Sequence, residues 1–118
     1  MIRSRNDFFI EERFEMRGGN GKVRIEHMFK PQDELKSANR LCARLVLEPQ
    51  VSIGFHRHEN EEGLFVIVQG TAEIDDNGTI RTVHAGDAIL TGGGAGHAVK
   101  NIGSDALEII AVISRFAE

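Results

Sequence analysis

His56 and His58 stand two residues apart in Gly54-Phe55-His56-Arg57-His58. On an extended strand, residues i and i+2 face the same side. Both imidazoles can therefore meet one object, while Phe55 and Arg57 turn away. Side-by-side imidazoles suit a transition metal ion. Three potential oxygen ligands follow at Glu59, Glu61 and Glu62. Another imidazole, His97, comes after the glycine run Gly92-Gly93-Gly94-Ala95-Gly96. An isolated His-x-His can equally be a polar strand end without metal. What decides is whether the fold carries His97 to the pair.

The elements that must do this read as strands. Ile and Val together number 20, Leu and Ala 17, and most of the 13 glycines fall between apolar runs. β-branched segments punctuated by glycine predict strands joined by turns. Strands are expected over 22–29, 40–48, 51–58, 63–69, 87–91, 97–102 and 106–113. Residues 72–83 read as a hairpin, because Asn77-Gly78 tolerates the positive φ of a type I′ turn. Residues 8–16 fit either a helix or an edge strand, and Gly18-Gly19-Asn20-Gly21 reads as a turn. Short strands at this regular spacing indicate an all-β sandwich or barrel.

Composition narrows the function. The chain has 118 residues, enough for one domain with one core. Its formal charge of −4 argues against a phosphate-backbone binder, which needs a basic stripe. With no Trp and no Tyr, it lacks the aromatics of a single-strand platform or a membrane belt. No apolar run approaches the roughly 20 residues that span a bilayer, and the N-terminus has no apolar signal core. Cys42 is the only cysteine, so no intramolecular disulfide can form. A soluble cytoplasmic protein is expected, with no nucleic-acid or membrane partner.

Two stretches resemble the cupin superfamily, whose motifs are G-x5-H-x-H-x3,4-E-x6-G and G-x5-P-x-G-x2-H-x3-N. Residues 51–70 read VSIGFHRHENEEGLFVIVQG, in which His56, His58 and Gly70 match the first motif. Residues 86–101 read GDAILTGGGAGHAVKN, in which Gly86, Gly94, His97 and Asn101 match the second. The resemblance covers about residues 40–113. It implies a jelly-roll barrel of the double-stranded β-helix type, with residues 1–39 as an N-terminal arm and first strands and 40–118 as the barrel core. It also implies a homodimer, with Phe8-Phe9-Ile10 and Phe14 suited to a partner contact.

Three positions depart from the family pattern. Gln50 replaces the leading glycine of the first motif, and Gly92 replaces the proline of the second. In the commonest spacing the metal-binding glutamate would fall at position 63, which is glycine. With the shorter spacing it is Glu62, which strand alternation turns to the opposite face unless a bulge reorients it.

The resemblance therefore implies a divalent transition metal (Fe, Mn, Zn or Ni) held by His56, His58 and His97, with Glu62 as a fourth ligand or with water or substrate in its place. Phe65 and Ile67, at the parity of position 63, are expected to line the pocket. Arg44, polar in an apolar strand, either binds a carboxylate there or snorkels outward. Arg57 and His84 read as surface residues, His27 as structural, Asn101 as a turn support and Cys42 as a small core residue. The implied function is a metal-dependent enzyme, of oxygenase or decarboxylase type, acting on a small polar or anionic metabolite. The alternative is a non-catalytic metal or small-ligand binding module.

Overall fold

Strands that turn alternate residues inward build the two sheets of this chain. The structure is a computed structural model that describes residues 1–117. The strands are β1 (Phe9–Phe14), β2 (Lys22–His27), β3 (Asn39–Leu47), β4 (Ser52–Arg57), β5 (Glu61–Gln69), β6 (Thr71–Asp76), β7 (Thr79–His84), β8 (Ala88–Gly92), β9 (Gly96–Asn101) and β10 (Leu107–Arg115). Each expected strand appears, with ends shifted by a few residues. Residues 8–16 contain an edge strand rather than a helix.

The strands form two antiparallel sheets. One runs β1-β2-β3-β10-β5-β8 and the other β4-β9-β6-β7. Between them lies one apolar core, to which β2 gives Val23 and Ile25, β3 gives Ala43, Leu45 and Leu47, β5 gives Phe65 and Ile67, and β10 gives Leu107, Ile109 and Ala111. The alternating burial along β3 and β10 is the strand period. The fold is the all-β jelly-roll architecture that the resemblance implied.

Turn chemistry accounts for the motif positions. Asn77 (φ 50°) and Gly78 (φ 102°) both take the left-handed conformation of the expected hairpin, and Asp75 Oδ1 accepts the Gly78 N–H at 2.8 Å. Gln50 also has positive φ (73°), so it adopts the conformation that the family's glycine would supply without strain. Asn101 is fully buried. Its Nδ2 donates to Leu47 O (2.8 Å) and Asp105 O (2.9 Å), and its Oδ1 accepts the Gly103 N–H (2.9 Å). This side chain ties β9 to the end of β3 and to the turn before β10.

Alternation also corrects one expectation. Ala43, Leu45 and Leu47 face the core, so Cys42 lies half-buried on the outer face, where its Sγ approaches Met28 Sδ at 3.6 Å.

Candidate metal centre

The antiparallel register of β4 and β9 makes His56 and His97 direct cross-strand partners. His58 follows the end of β4 on the same side as His56. The three rings sit edge to face with centroids 4.7–5.1 Å apart. His97 Nε2 lies 3.2 Å from His56 Nε2 and 3.1 Å from His58 Nε2. One ligand atom from each ring falls within 4.8 Å of the others. His58 and His97 are buried at 3% and 2% exposure, and His56 is half-buried.

Hydrogen bonds at the far sides of the rings set their protonation. His56 Nδ1 lies 2.8 Å from Gly54 O, and a carbonyl can only accept. The proton is thus on Nδ1, and the Nε2 lone pair faces the cluster. His58 Nδ1 faces the Glu61 carboxylate at 3.4 Å, which favours the same tautomer. Ring nitrogens this close are held either by a hydrogen bond from one ring's N–H or by a cation between them. Burial makes that cation unsuited to be a proton: it pushes His97 down to about 3, helped by the neighbouring His56 and His58, and it also lowers His56. Neutral imidazoles with converging lone pairs fit a divalent transition metal.

Position 63 explains why the ligand set stops at three. A Cβ on Gly63 would lie 3.3 Å from His58 Nε2, so this residue faces the cluster and contributes no donor. Thr91, its cross-strand neighbour on β8, is buried, and its Oγ1 has no hydrogen-bond partner among the described residues. With no carboxylate at position 63, a metal held by the three imidazoles would be left open to an oxygen ligand.

Glu62 lies outside the cluster. It alternates away from Gly63, and its Cα and Cβ stand against Gly92 of β8. Glu61, at the inward parity, is the carboxylate that reaches the site. It accepts a bidentate pair from Arg40, through Nε to Oε2 and Nη2 to Oε1 (2.8 Å). The Arg40 guanidinium holds the Glu61 carboxyl below the usual carboxylate range.

A cavity of about 70 Å³ opens at the cluster, walled by Ile25, Leu45, Ile53, Phe65, Ala111 and Ile113 beside His56 and His58. Arg13, Arg17 and Arg40 also line it. It is small beside the roughly 300–1,000 Å³ of typical ligand pockets, so it suits a small ligand. Arg13, Arg40 and Leu41 also border a wider groove of about 540 Å³ that carries Lys30 and Arg115. A separate cleft of about 290 Å³ at Ile74, Arg81 and Asp87 holds no imidazole.

Of the residues expected in the pocket, Phe65 lines it and its ring stacks near His97, with centroids 4.8 Å apart. Ile67 lies fully buried in the core beyond the cavity. Arg44 is on the outer face, where its Nη1 donates to Glu108 Oε1 at 2.8 Å. It shares the outward parity of Cys42 and Val46. Arg57 turns outward onto Gly94 O (3.0 Å), His84 is exposed, and His27 Nε2 pairs with Glu11 at 2.8 Å.

Sequence reasoning missed Arg13, Arg17 and Arg40, and it named Glu61 only as one of three potential oxygen ligands, without its place beside His58. Glu61 carried a signal, because it shares the parity of Gly63 and Phe65. Arg40 did not: the β3–β10 register slips where Asn39 pairs with Ser114 and Leu41 with Ile113, and this local irregularity sets Arg40 against the cavity.

The sequence model of the Cupin domain matches residues 43–113. An oxalate-binding protein of Thermotoga maritima is 38% identical over 98 residues, which are 83% of this chain and 80% of that protein. A crystal structure from Thermotoga maritima, described as a predicted oxalate decarboxylase, superposes with a TM-score of 0.92 at 34% identity, covering 98% of this chain and all of the other. An RmlC-like cupin from Shewanella frigidimarina shares the fold, with a TM-score of 0.76 at 13% identity over 98% of this chain and 91% of its own. With the two-sheet barrel, both histidine motifs and these likenesses in agreement, the chain belongs to the cupin family.

Proposed function

We propose that this cupin binds a divalent transition metal through His56, His58 and His97 and uses it to capture a small carboxylate anion. The observation that carries the reading is the convergence of three imidazole nitrogens beside a small cavity that His56, His58 and three arginines line. The 38% identical relative called an oxalate-binding protein points to the same ligand class.

The donor set adds no negative charge, so a bound divalent ion keeps its full charge toward an incoming anion. When bound, the ion supplies Lewis-acid attraction for a carboxylate oxygen. The chain's own residues do the rest. Gly63 leaves the space in which the anion can lie. Phe65, Leu45 and Ile53 exclude water and so strengthen the charge interaction. The Arg13, Arg17 and Arg40 side chains bias the mouth toward anions.

Catalysis, as oxygenation or decarboxylation of a small acid, is the second reading. It is favoured by the Glu61 carboxylate, held beside His58 as the nearest group able to move a proton. The chain is further read as a cytoplasmic homodimer. Leu64 and Leu90, paired across β5 and β8 on the outer face, are 37% and 64% exposed and suit a partner's apolar face.

Equilibrium titration tests the main reading. Oxalate is expected to bind the metal-loaded protein and to bind the metal-free protein at least about tenfold more weakly. Equal affinity with and without metal would overturn it.

A further inference from the structure

We propose that Arg17 is the specificity-determining residue of this site, reading the outer carboxylate of a small dicarboxylate whose inner carboxylate lies at the imidazole cluster. The inference rests on the function proposed above and assigns its charge selection to one side chain.

Three arginines line the cavity, and two of them are engaged. Arg13 Nε donates to Glu11 Oε2 at 2.6 Å, and Arg40 holds Glu61. The Arg17 side chain has no hydrogen bond or ion pair among the described residues. It lines the same cavity as His56 and His58. It is thus the guanidinium at this mouth whose five donors are left for a ligand.

The backbone beneath Arg17 is built to keep it there. Arg17 sits in a 3-10 turn, Met16–Gly18, with left-handed φ/ψ of 55° and 28°. Glu15 before it is also left-handed, at φ 52°. Non-glycine residues in this region cost free energy and persist where the surroundings hold them. Here Gly18 N–H donates to Glu15 O and Gly19 N–H to Met16 O, both at 2.9 Å. The turn then lies directly on β4. A Cβ on Gly54 would overlap the Arg17 carbonyl oxygen, and a Cβ on Gly19 would overlap the Ser52 carbonyl oxygen. Two glycines thus let the backbones touch two residues before His56. Asn20 N–H donates to Ser52 Oγ at 2.8 Å and Ser52 N–H to Asn20 O at 2.9 Å, completing the strap.

The ligand class follows from size and charge. A cavity of about 70 Å³ admits a short chain only. One carboxylate occupies the imidazole end, so a second negative group is needed to engage a cation at the mouth. Monocarboxylates gain nothing from Arg17.

The test uses the full chain loaded with Co(II), whose visible spectrum reports the centre, and titrates oxalate and acetate into wild type, Arg17→Gln and Arg17→Lys. Arg17→Gln is expected to weaken oxalate by about tenfold or more, the size of a lost charge-assisted bidentate contact, and to leave acetate within twofold. Arg17→Lys should recover part of the oxalate affinity. All three proteins should bind one cobalt with the same spectrum. An unchanged oxalate-to-acetate ratio in Arg17→Gln would overturn the Arg17 assignment while leaving metal-centred anion binding standing. Loss of cobalt by Arg17→Gln would also overturn it, because the residue would then be holding the centre. Failure of wild type to bind either anion would bring down the underlying reading together with this one.

Discussion

Replacing Glu61 by Gln should weaken metal binding without dismantling the fold. The carboxylate faces His58 Nδ1 at 3.4 Å and takes two donors from Arg40. It therefore does two things for the centre. It holds the proton on Nδ1, leaving Nε2 free to coordinate, and it makes the imidazole a stronger donor. Outer partners of metal-ligating histidines are typically worth about 10–100-fold in affinity. The 3.4 Å contact is long for a hydrogen bond, and the Glu61 charge is shared with Arg40, so the low end applies. The expected loss is about tenfold, or about 1.4 kcal/mol. Gln preserves shape and can still accept from Arg40, so the metal-free melting temperature should move little, as for a partly exposed ion pair worth about 1 kcal/mol or less. Competition of Co(II) between the protein and a chelator of known affinity measures the effect. Affinity within twofold of wild type, or tighter, would refute the argument that Glu61 orients His58.

Asn101→Ala should destabilise the protein by about 3 kcal/mol in urea unfolding, because it removes three hydrogen bonds made by a buried side chain and leaves Leu47 O and the Gly103 N–H without their partner; stability unchanged within about 0.5 kcal/mol would contradict this. The metal-free protein should lose stability as pH falls from about 6.5 toward 3. Unfolding frees His97 to protonate at its ordinary value, whereas burial holds it neutral down to about 3 in the fold, so the unfolded state takes up the proton first. Melting temperatures across that window check the sign, and bound metal should steepen the acid loss. Gly63→Glu should place a carboxylate beside His58, tighten metal binding and weaken oxalate, with a small stability cost because its Cβ would stand 3.3 Å from His58 Nε2; equal oxalate affinity in both proteins would show that the position is not where the anion lies.

The strands and the His56–His58 pair were legible because both obey a local rule. Alternation predicted β2, β-branched runs between glycines predicted the other strands, and the two-residue spacing put His56 and His58 on one side. That His97 would join them came from the second motif, since nothing local to β9 says which strand it pairs with. The remainder depends on features with no local signature. Arg44 was read against its apolar neighbours rather than its parity, which points outward to Glu108. Arg40 reaches the cavity at a register slip in β3, and Arg17 through a strained turn seated on Gly54. Alternation cannot announce either. The departures at Gln50 and position 63 mean different things. The first keeps the backbone conformation of glycine at some strain, and the second removes a ligand and opens the site.

The measurement closest to the central claim is the metal content of untagged protein after equilibration with Co(II), for wild type and for His56→Ala, His58→Ala and His97→Ala. Three converging imidazoles predict one ion per chain in wild type and less than about a tenth of that in every variant, with each variant still folded. Equal cobalt in wild type and in the His97→Ala protein would contradict the account, because the cross-strand meeting of β4 and β9 would then hold no ion.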